Sequence, residues 1–318
     1  MTTAARAWDD LVGGARRGEP RPLARLISQV EDRVPGWEDA MKALYPYSGS
    51  APVIGITGPP GAGKSSLTSR ITASLVARSH RVGIIAVDPT SPFSGGALLG
   101  DRLRMRDVAT TPGVFIRSMA TRGTLGGLCQ GARDVARILA AAGHDIVLIE
   151  TVGVGQDEIE VVKAADRVAV VCVPGQGDAV QTLKAGIMEI ADVFVVNKVD
   201  RDGADAVITD IRSMLALADK PSDSVPVIAT CALTGQGIEP LVEALLAPAA
   251  GAIATTTRRE ARVREEIWTL VEREIARRVR ERWRANGGLD STIERVCRGE
   301  LDPYSAAHAI LNSIDLQD

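Results

Sequence analysis

The sequence predicts an α/β fold: a mostly parallel, doubly wound sheet, with a helical segment before it and a helical arm after it. From Pro52 onward, short β-branched runs alternate with longer stretches of helical periodicity. Several of these runs are apolar at consecutive positions, as in strands covered on both faces. On either side of this region the strand pattern stops and only helical spacing remains.

Residues 1–48 read as short amphipathic helices, since Leu23, Leu26, Ile27 and Val30 fall at helical spacing and Pro35-Gly36 and Pro46 punctuate them. The alternating region, 49–250, offers strands at Val53–Thr57, Val82–Val87, Val114–Arg117, Ile146–Thr151, Arg167–Val173, Val193–Asn197 and Val225–Ala229. Helices are expected at 64–78, 127–142, 178–190, 204–218 and 238–247. The arm, 251–318, opens with a charge-laced helix over 257–285, stopped by Asn286-Gly287-Gly288. Further helices are expected at 290–298 and 303–315. The long helix reaches roughly 40 Å at 1.5 Å per residue. Its apolar positions Val263, Ile267, Val271, Ile275, Val279 and Trp283 recur every fourth residue, so the stripe turns by about 40° per step and spirals. A stripe of that length needs a covering surface, and a homodimer built on the arm is expected.

Composition excludes several classes. The 318 residues make about two domains at ~150 residues each. With 45% apolar and 24% charged residues, wholesale disorder is excluded. Lys plus Arg number 37 against 40 Asp plus Glu, a net charge of −3, which argues against a polyanion partner. Aromatics at 3% are too few for a base-stacking platform, so no nucleic acid is expected. No apolar run approaches the ~20 residues that span a bilayer, and the N-terminus lacks the apolar core of a signal peptide. Asp9, Asp10 and Glu19 argue against a transit peptide. Cys129, Cys172, Cys231 and Cys297 lie far apart, so neither a disulfide framework nor a thiolate zinc site is expected. Cys129 and Cys172 read as small buried hydrophobes. His80, His144 and His308 are isolated, and each reads as a surface or capped histidine. The location expected is cytoplasmic, with no membrane contact.

The strongest chemical signal is Gly58-Pro-Pro-Gly-Ala-Gly-Lys-Ser65, which follows the strand VIGIT and opens a helix. It matches the G-x-x-x-x-G-K-[ST] phosphate loop, and the surrounding order of strand, loop and helix is also present. Glycines at 58, 61 and 63 let backbone N–H groups face phosphate without a Cβ in the way. The helix N-terminus adds its positive dipole end, Lys64 faces the β/γ-phosphates, and the Ser65 hydroxyl suits Mg²⁺.

Base choice is read from Asn197-Lys198-Val199-Asp200 at the end of the strand VFVVN. A carboxylate at Asp200 accepts from N1–H and the 2-amino group of guanine, a pair that adenine lacks. The loop Cys231-Ala232-Leu233 after the next strand resembles one whose backbone amide meets guanine O6, with cysteine in place of serine. GTP is therefore favoured over ATP. Between these motifs, Glu150 ends an apolar strand and Gly153 follows three residues later. Glu150 can hold Mg²⁺ directly or through water, and the Gly153 N–H can report the γ-phosphate. Asp88 also ends a strand, at the sheet edge where α/β proteins bind ligands. Asp101 and Arg104 are loop charges in GGALLGDRLRM.

With their surroundings, these residues resemble one family, the MeaB/ArgK-type methylmalonyl-CoA mutase-associated GTPases of the SIMIBI class of P-loop proteins. The resemblance runs through VDPTSPFSGGALLGDRLRM (87–105), FIRSMATRGTLGGL (115–128), IETVGVGQDE (149–158), PGQGDAVQTLKAGIMEIAD (174–192) and LDPYSAAHAI (301–310), and covers nearly the whole chain. It implies phosphate contacts from Gly58, Pro59, Pro60, Gly61, Ala62, Gly63, Lys64, Ser65 and Ser66. It also implies Mg²⁺ ligation around Ser65, Asp88, Asp101 and Glu150, with Arg104 reaching the nucleotide. Asn197 and Asp200 would read guanine, Lys198 would also contact the nucleotide, and Cys231, Ala232 and Leu233 would cover the base. The segment 174–189, with Gln176, Asp178 and Lys184, resembles an additional switch through which such proteins address their mutase. Two departures stand out. Pro92-Phe93 replaces more polar residues of the first switch, and Cys231 replaces serine, which should matter little if only a backbone amide is used.

The implied activity is GTP hydrolysis, with Lys64, Glu150 and Arg104 as catalytic candidates, in the service of an adenosylcobalamin-dependent acyl-CoA mutase. Hydrolysis should be slow without a partner, because no clear arginine finger or base is legible; Arg104 and Gln156 are the candidates. A kinase linked to amino-acid transport would need an acceptor pocket and fits poorly with N-K-V-D. A nickel-insertion GTPase would need His/Cys clusters that the sequence lacks. A protein-targeting GTPase would need a Met-rich domain, whereas the six Met here are scattered.

Overall fold

A computed structural model describes residues 3–49, 51–88, 105–120, 127–151, 164–175, 191–217, 225–247, 252–285 and 288–312. They form two compact units, Met1–Ala247 and Pro248–Asp318.

The first unit opens with α1 (Thr3–Arg16), α2 (Pro20–Glu31) and α3 (Trp37–Leu44). Then follow β1 (Val53–Thr57), α4 (Lys64–Ala77), β2 (Val82–Asp88), α5 (Arg106–Ala109), β3 (Val114–Ala120), α6 (Gly127–Ala141) and β4 (Ile146–Thr151). Next come β5 (Arg167–Cys172), β6 (Val193–Asn197), α7 (Ala204–Leu217), β7 (Val227–Thr230) and α8 (Ile238–Leu246). The sheet has seven strands in the order β3-β2-β4-β1-β5-β6-β7. Every described pairing in it is parallel.

Consecutive apolar residues in the strands serve opposite faces. Ile146 and Leu148 enter one core with Leu67, Ile71 and Leu75 of α4 and Leu241, Val242 and Leu245 of α8. Val147 and Ile149 enter a second, with Leu23, Leu26, Ile27 and Val30 of α2 and Val135, Ile138 and Leu139 of α6. A third core beneath α7 takes Val168, Val170, Phe194 and Val196 with Val207, Ile211 and Leu215. Burial on both faces is what the unbroken apolar runs require.

Some element ends differ from expectation. The last strand starts at Val227 instead of Val225, because Pro226 has no N–H for the ladder, although its carbonyl still accepts from Phe194 N at 2.9 Å. β2 and β3 pair over seven residues, which carries β3 on to Ala120. The predicted helix at 178–190 lies outside the described residues.

The N-terminal helices are also tied down by polar groups. Glu31 at the end of α2 pairs with Arg117 of β3. Arg33, in the left-handed region at φ 52°, reaches Asp134 of α6 at 3.0 Å and lies over the Trp37 ring. Burial pushes the Asp134 carboxyl upward, opposed by the Arg33 charge. His144 is a capping residue and not a surface one: it is buried, with Nδ1 2.9 Å from the Leu139 carbonyl in the last turn of α6. Desolvation lowers its pKa.

The second unit comprises α9 (Ala252–Ala285), α10 (Gly288–Cys297) and α11 (Pro303–Asn312). α9 starts five residues before the expected 257, since nothing after Gly251 interrupts helical geometry. Arg277 and Arg278 both pair with Glu274, whose carboxyl they push down to about 2, and Arg277 also pairs with Glu281. On α9, Val263, Ile267, Trp268, Leu270, Val271 and Ile275 are all exposed. No helix among the described residues is long and apolar enough to cross a membrane.

Candidate functional site

The site lies where β1, β4, β6 and β7 end, at the carboxyl edge of the sheet. After Thr57 the chain turns through Gly58 at φ 148°, where a Cβ would run into the Val171 carbonyl of β5. Only glycine fits against that strand. Gly63, at φ 88°, caps α4, and a Cβ there would stand 2.5 Å from Asn197 Nδ2. These two positions explain why the turn needs glycine at its entry and exit.

Lys64 is 5% exposed, and its Nζ donates to the carbonyls of Gly58 at 2.7 Å and Pro59 at 3.0 Å. The ammonium is thus folded back over the loop it would serve. Next to it the Ser65 hydroxyl donates to Glu150 Oε1 at 2.5 Å. Glu150 is buried at the end of β4, in register with Ile56 of β1. Thr151 Oγ1 donates to Thr57 Oγ1 at 3.1 Å across the same pair of strands. The Ser65–Glu150 pair offers hard oxygen donors at the mouth of the loop, a donor set that suits Mg²⁺. The end of β2 brings Asp88 to the same edge, where its neighbour Val87 is in register with Thr151. Its side chain lies outside the described residues, as do Asp101 and Arg104 entirely. No cluster of three or more metal-ligating side chains occurs among the described residues.

Asn197 joins the parts of the site. Buried at the end of β6, it donates from Nδ2 to the Ala62 carbonyl at 2.8 Å, in the glycine-rich turn. Its Oδ1 accepts from Thr230 Oγ1 and from the Ala232 N–H, each at 3.2 Å. Lys198, at φ 61°, donates from Nζ to the Gly61 carbonyl at 2.7 Å. The ends of β6 and β7 and the turn after β1 therefore form one hydrogen-bonded frame. The loop after β7 closes on itself, with Cys231 N donating to Gln236 O at 3.0 Å. Pro59, Pro60, Gly61 and Leu233 are on or near the surface of this frame, and Leu233 is 77% exposed. Ser66, on the first turn of α4, is exposed as well.

Cys231 also engages its side chain: its buried Sγ lies 3.2 Å from Asp200 Oδ1 and donates to it. A thiol is a weaker donor than the serine hydroxyl it replaces. Cys172 behaves as a buried hydrophobe, its thiol pushed up to about 12 by burial; the Cys129 side chain lies outside the described residues. Gly153, Gln156, Gln176, Asp178 and Lys184 also lie outside them.

Arg70 of α4 belongs to the site although no motif marks it. Its Nε donates to the Ala232 carbonyl at 2.9 Å and its Nη2 to the Leu233 carbonyl at 2.8 Å. The available signal is a polar strip along α4 and its cap, Arg70, Ser74 and Arg78, at successive steps of four. Ser74 donates to Glu239 Oε1 of α8 at 2.6 Å, and Arg78 pairs with the same carboxylate.

A parallel sheet, a glycine turn at its carboxyl edge and a buried lysine opening the next helix define a P-loop nucleotide-binding protein. The family model for the methylmalonyl-CoA mutase-associated GTPase MeaB matches residues 23–284, and the chain belongs to that family of GTPases. A Pyrococcus horikoshii protein named as a GTPase is 44% identical over 315 residues, covering 96% of this chain and 98% of its own length. The GTPase ArgK of Escherichia coli is 38% identical over 240 residues, 73% of this chain and 72% of ArgK. A crystal structure described as an LAO/AO transport system kinase superposes with a TM-score of 0.69 at 26% identity, covering 98% of both chains.

Proposed function

We propose that this GTPase is Mg²⁺-dependent and acts in the cytoplasm as chaperone of an adenosylcobalamin-dependent acyl-CoA mutase. It would gate cofactor loading and protect or reactivate the mutase, with GTP hydrolysis as the timer. The observation that carries the reading is the Asn197 frame, which ties the glycine turn to the two segments expected to read the base. Family membership supplies the kind of partner.

In this reading Gly58 to Ser66 bind the phosphates, and Lys64 leaves the Gly58 and Pro59 carbonyls to neutralise them. Ser65 and Glu150, with Asp88 and Asp101, would hold Mg²⁺, which would supply neutralisation of the phosphate charge. Asn197 and Lys198 brace the turn, Asp200 reads the guanine edge, and Cys231, Ala232 and Leu233 cover the base. Arg104 reaches the nucleotide. Gln176, Asp178 and Lys184 belong to the segment that answers to the mutase. Loss of the γ-phosphate releases the switch segments and biases a two-state element that the partner reads. A kinase role, suggested by the name of the solved relative, would require phosphate transfer to an acceptor other than water.

The test is a capture experiment with GTP-loaded protein, scored for a cobalamin-dependent mutase, followed by turnover with that mutase added. Hydrolysis should rise by at least about tenfold, since completing such a site is worth orders of magnitude. Phosphate found on an acceptor other than water, with no response to a mutase, would overturn the reading.

The homodimer belongs to the same proposal. Val263, Ile267, Val271 and Ile275 are exposed at steps of four along α9, with Trp268 and Leu270 beside them. A second copy would cover this apolar strip by two-fold symmetry. The full chain should sediment as a dimer at micromolar concentration, and Ile267→Asp with Val271→Asp should give a monomer that still binds nucleotide. A wild-type monomer in every nucleotide state would give α9 an intramolecular role instead.

A further inference from the structure

We infer that Arg70 is a positioning residue for guanine, acting through the backbone of the loop that covers the base. The inference rests on the guanine site proposed above. Arg70 projects from the second turn of the phosphate-binding helix, outside the glycine turn and outside N-K-V-D, and its guanidinium grips two successive carbonyls, Ala232 O at 2.9 Å and Leu233 O at 2.8 Å. A planar guanidinium holding two acceptors from adjacent donors fixes orientation as well as distance.

The consequence follows from peptide geometry. In a trans peptide the carbonyl of one residue and the N–H of the next point in opposite directions, and the chain has no cis bond among the described residues. Drawing Ala232 O toward α4 therefore turns the Leu233 N–H away from α4. The neighbouring donor, Ala232 N–H, is already shared with Asn197 Oδ1 at 3.2 Å. The Leu233 N–H makes no hydrogen bond within the described residues. The Thr234 N–H, on the peptide whose carbonyl is Leu233 O, makes none among the described residues either. These two adjacent donors are left for guanine O6, and Arg70 sets the direction of both. Ser74 and Arg78, one and two turns further along the same face, hold Glu239 of α8 and keep the helix that follows the loop in place. One strip of α4 thus connects the helix that carries Lys64 to the loop that carries the base contact.

The experiment is calorimetric titration of the full chain with Mg²⁺ and four nucleoside diphosphates: GDP, IDP, ADP and the 2-aminopurine riboside diphosphate, which lacks O6. Arg70→Ala should raise the Kd for GDP and IDP by about tenfold, the usual weight of one well-placed hydrogen bond. The Kd for the 2-aminopurine nucleotide should stay within about twofold, because it has no O6 contact to lose. Arg70→Lys keeps one donor within reach and should fall between wild type and Arg70→Ala. Equal weakening of GDP and the 2-aminopurine nucleotide would show a merely structural role and overturn the inference. So would GDP binding unchanged in Arg70→Ala while the wild type still prefers GDP to ADP. A wild type that binds GDP and ADP alike would instead sink the guanine site itself, and this inference with it.

Discussion

Lys64→Ala should abolish GTP hydrolysis while leaving the fold intact. The side chain is 5% exposed and donates to the Gly58 and Pro59 carbonyls of the turn, so its loss opens no apolar core. What disappears is a buried positive charge at the mouth of the turn that can follow charge developing on the β/γ-phosphates. Removing a charge-stabilising donor of this kind typically costs at least about 10²–10³ in rate, roughly 3–4 kcal/mol. Lys64→Arg should not restore activity, because a planar guanidinium does not occupy the point between two adjacent carbonyls that an ammonium occupies. Single-turnover release of phosphate from GTP reads the effect. Near-normal turnover by Lys64→Ala would contradict the assignment of this turn as the phosphate site.

Asp200→Asn should exchange guanine for xanthine. As a carboxylate, Asp200 can only accept, which matches the two donors on the guanine edge; as an amide it donates to the 2-oxo group that xanthine carries instead. The partner it keeps is Cys231, whose Sγ donates to Oδ1 at 3.2 Å and can do so equally to the asparagine oxygen. The substitution therefore reverses hydrogen-bond polarity at one position and leaves its support standing. Each hydrogen bond to a charged group is worth about 1.5–3 kcal/mol, so the GTP/XTP preference should move by roughly 10³-fold when one side loses and the other gains. Competition between labelled GTP and XTP measures this directly. Unchanged selectivity would mean that Asp200 does not face the base.

The sheet and most of its helices are legible in the sequence because their signals are local. β1, β4 and β6 start and stop where the apolar runs do, and a run apolar at every position marks a strand buried on both faces. β7 starts two residues later than its apolar run, because Pro226 is apolar but cannot donate to a ladder.

The phosphate turn is likewise complete in the sequence: glycine spacing, lysine and the helix start are all contained in residues 58–65. Its supports are not. Asn197 meets Ala62 across 135 positions, and Lys198 meets Gly61 across 137. Arg70 finds its two carbonyls 162 and 163 positions away. A motif records residue type, so cysteine for serine at 231 looks inconsequential, and only folding lays its thiol against Asp200. Periodicity and turn chemistry act over a few residues and are written in the order of the chain. Which carbonyl a side chain reaches depends on how β1, β6 and β7 come together in the sheet, and that is decided by the packing of cores drawn from the whole first unit.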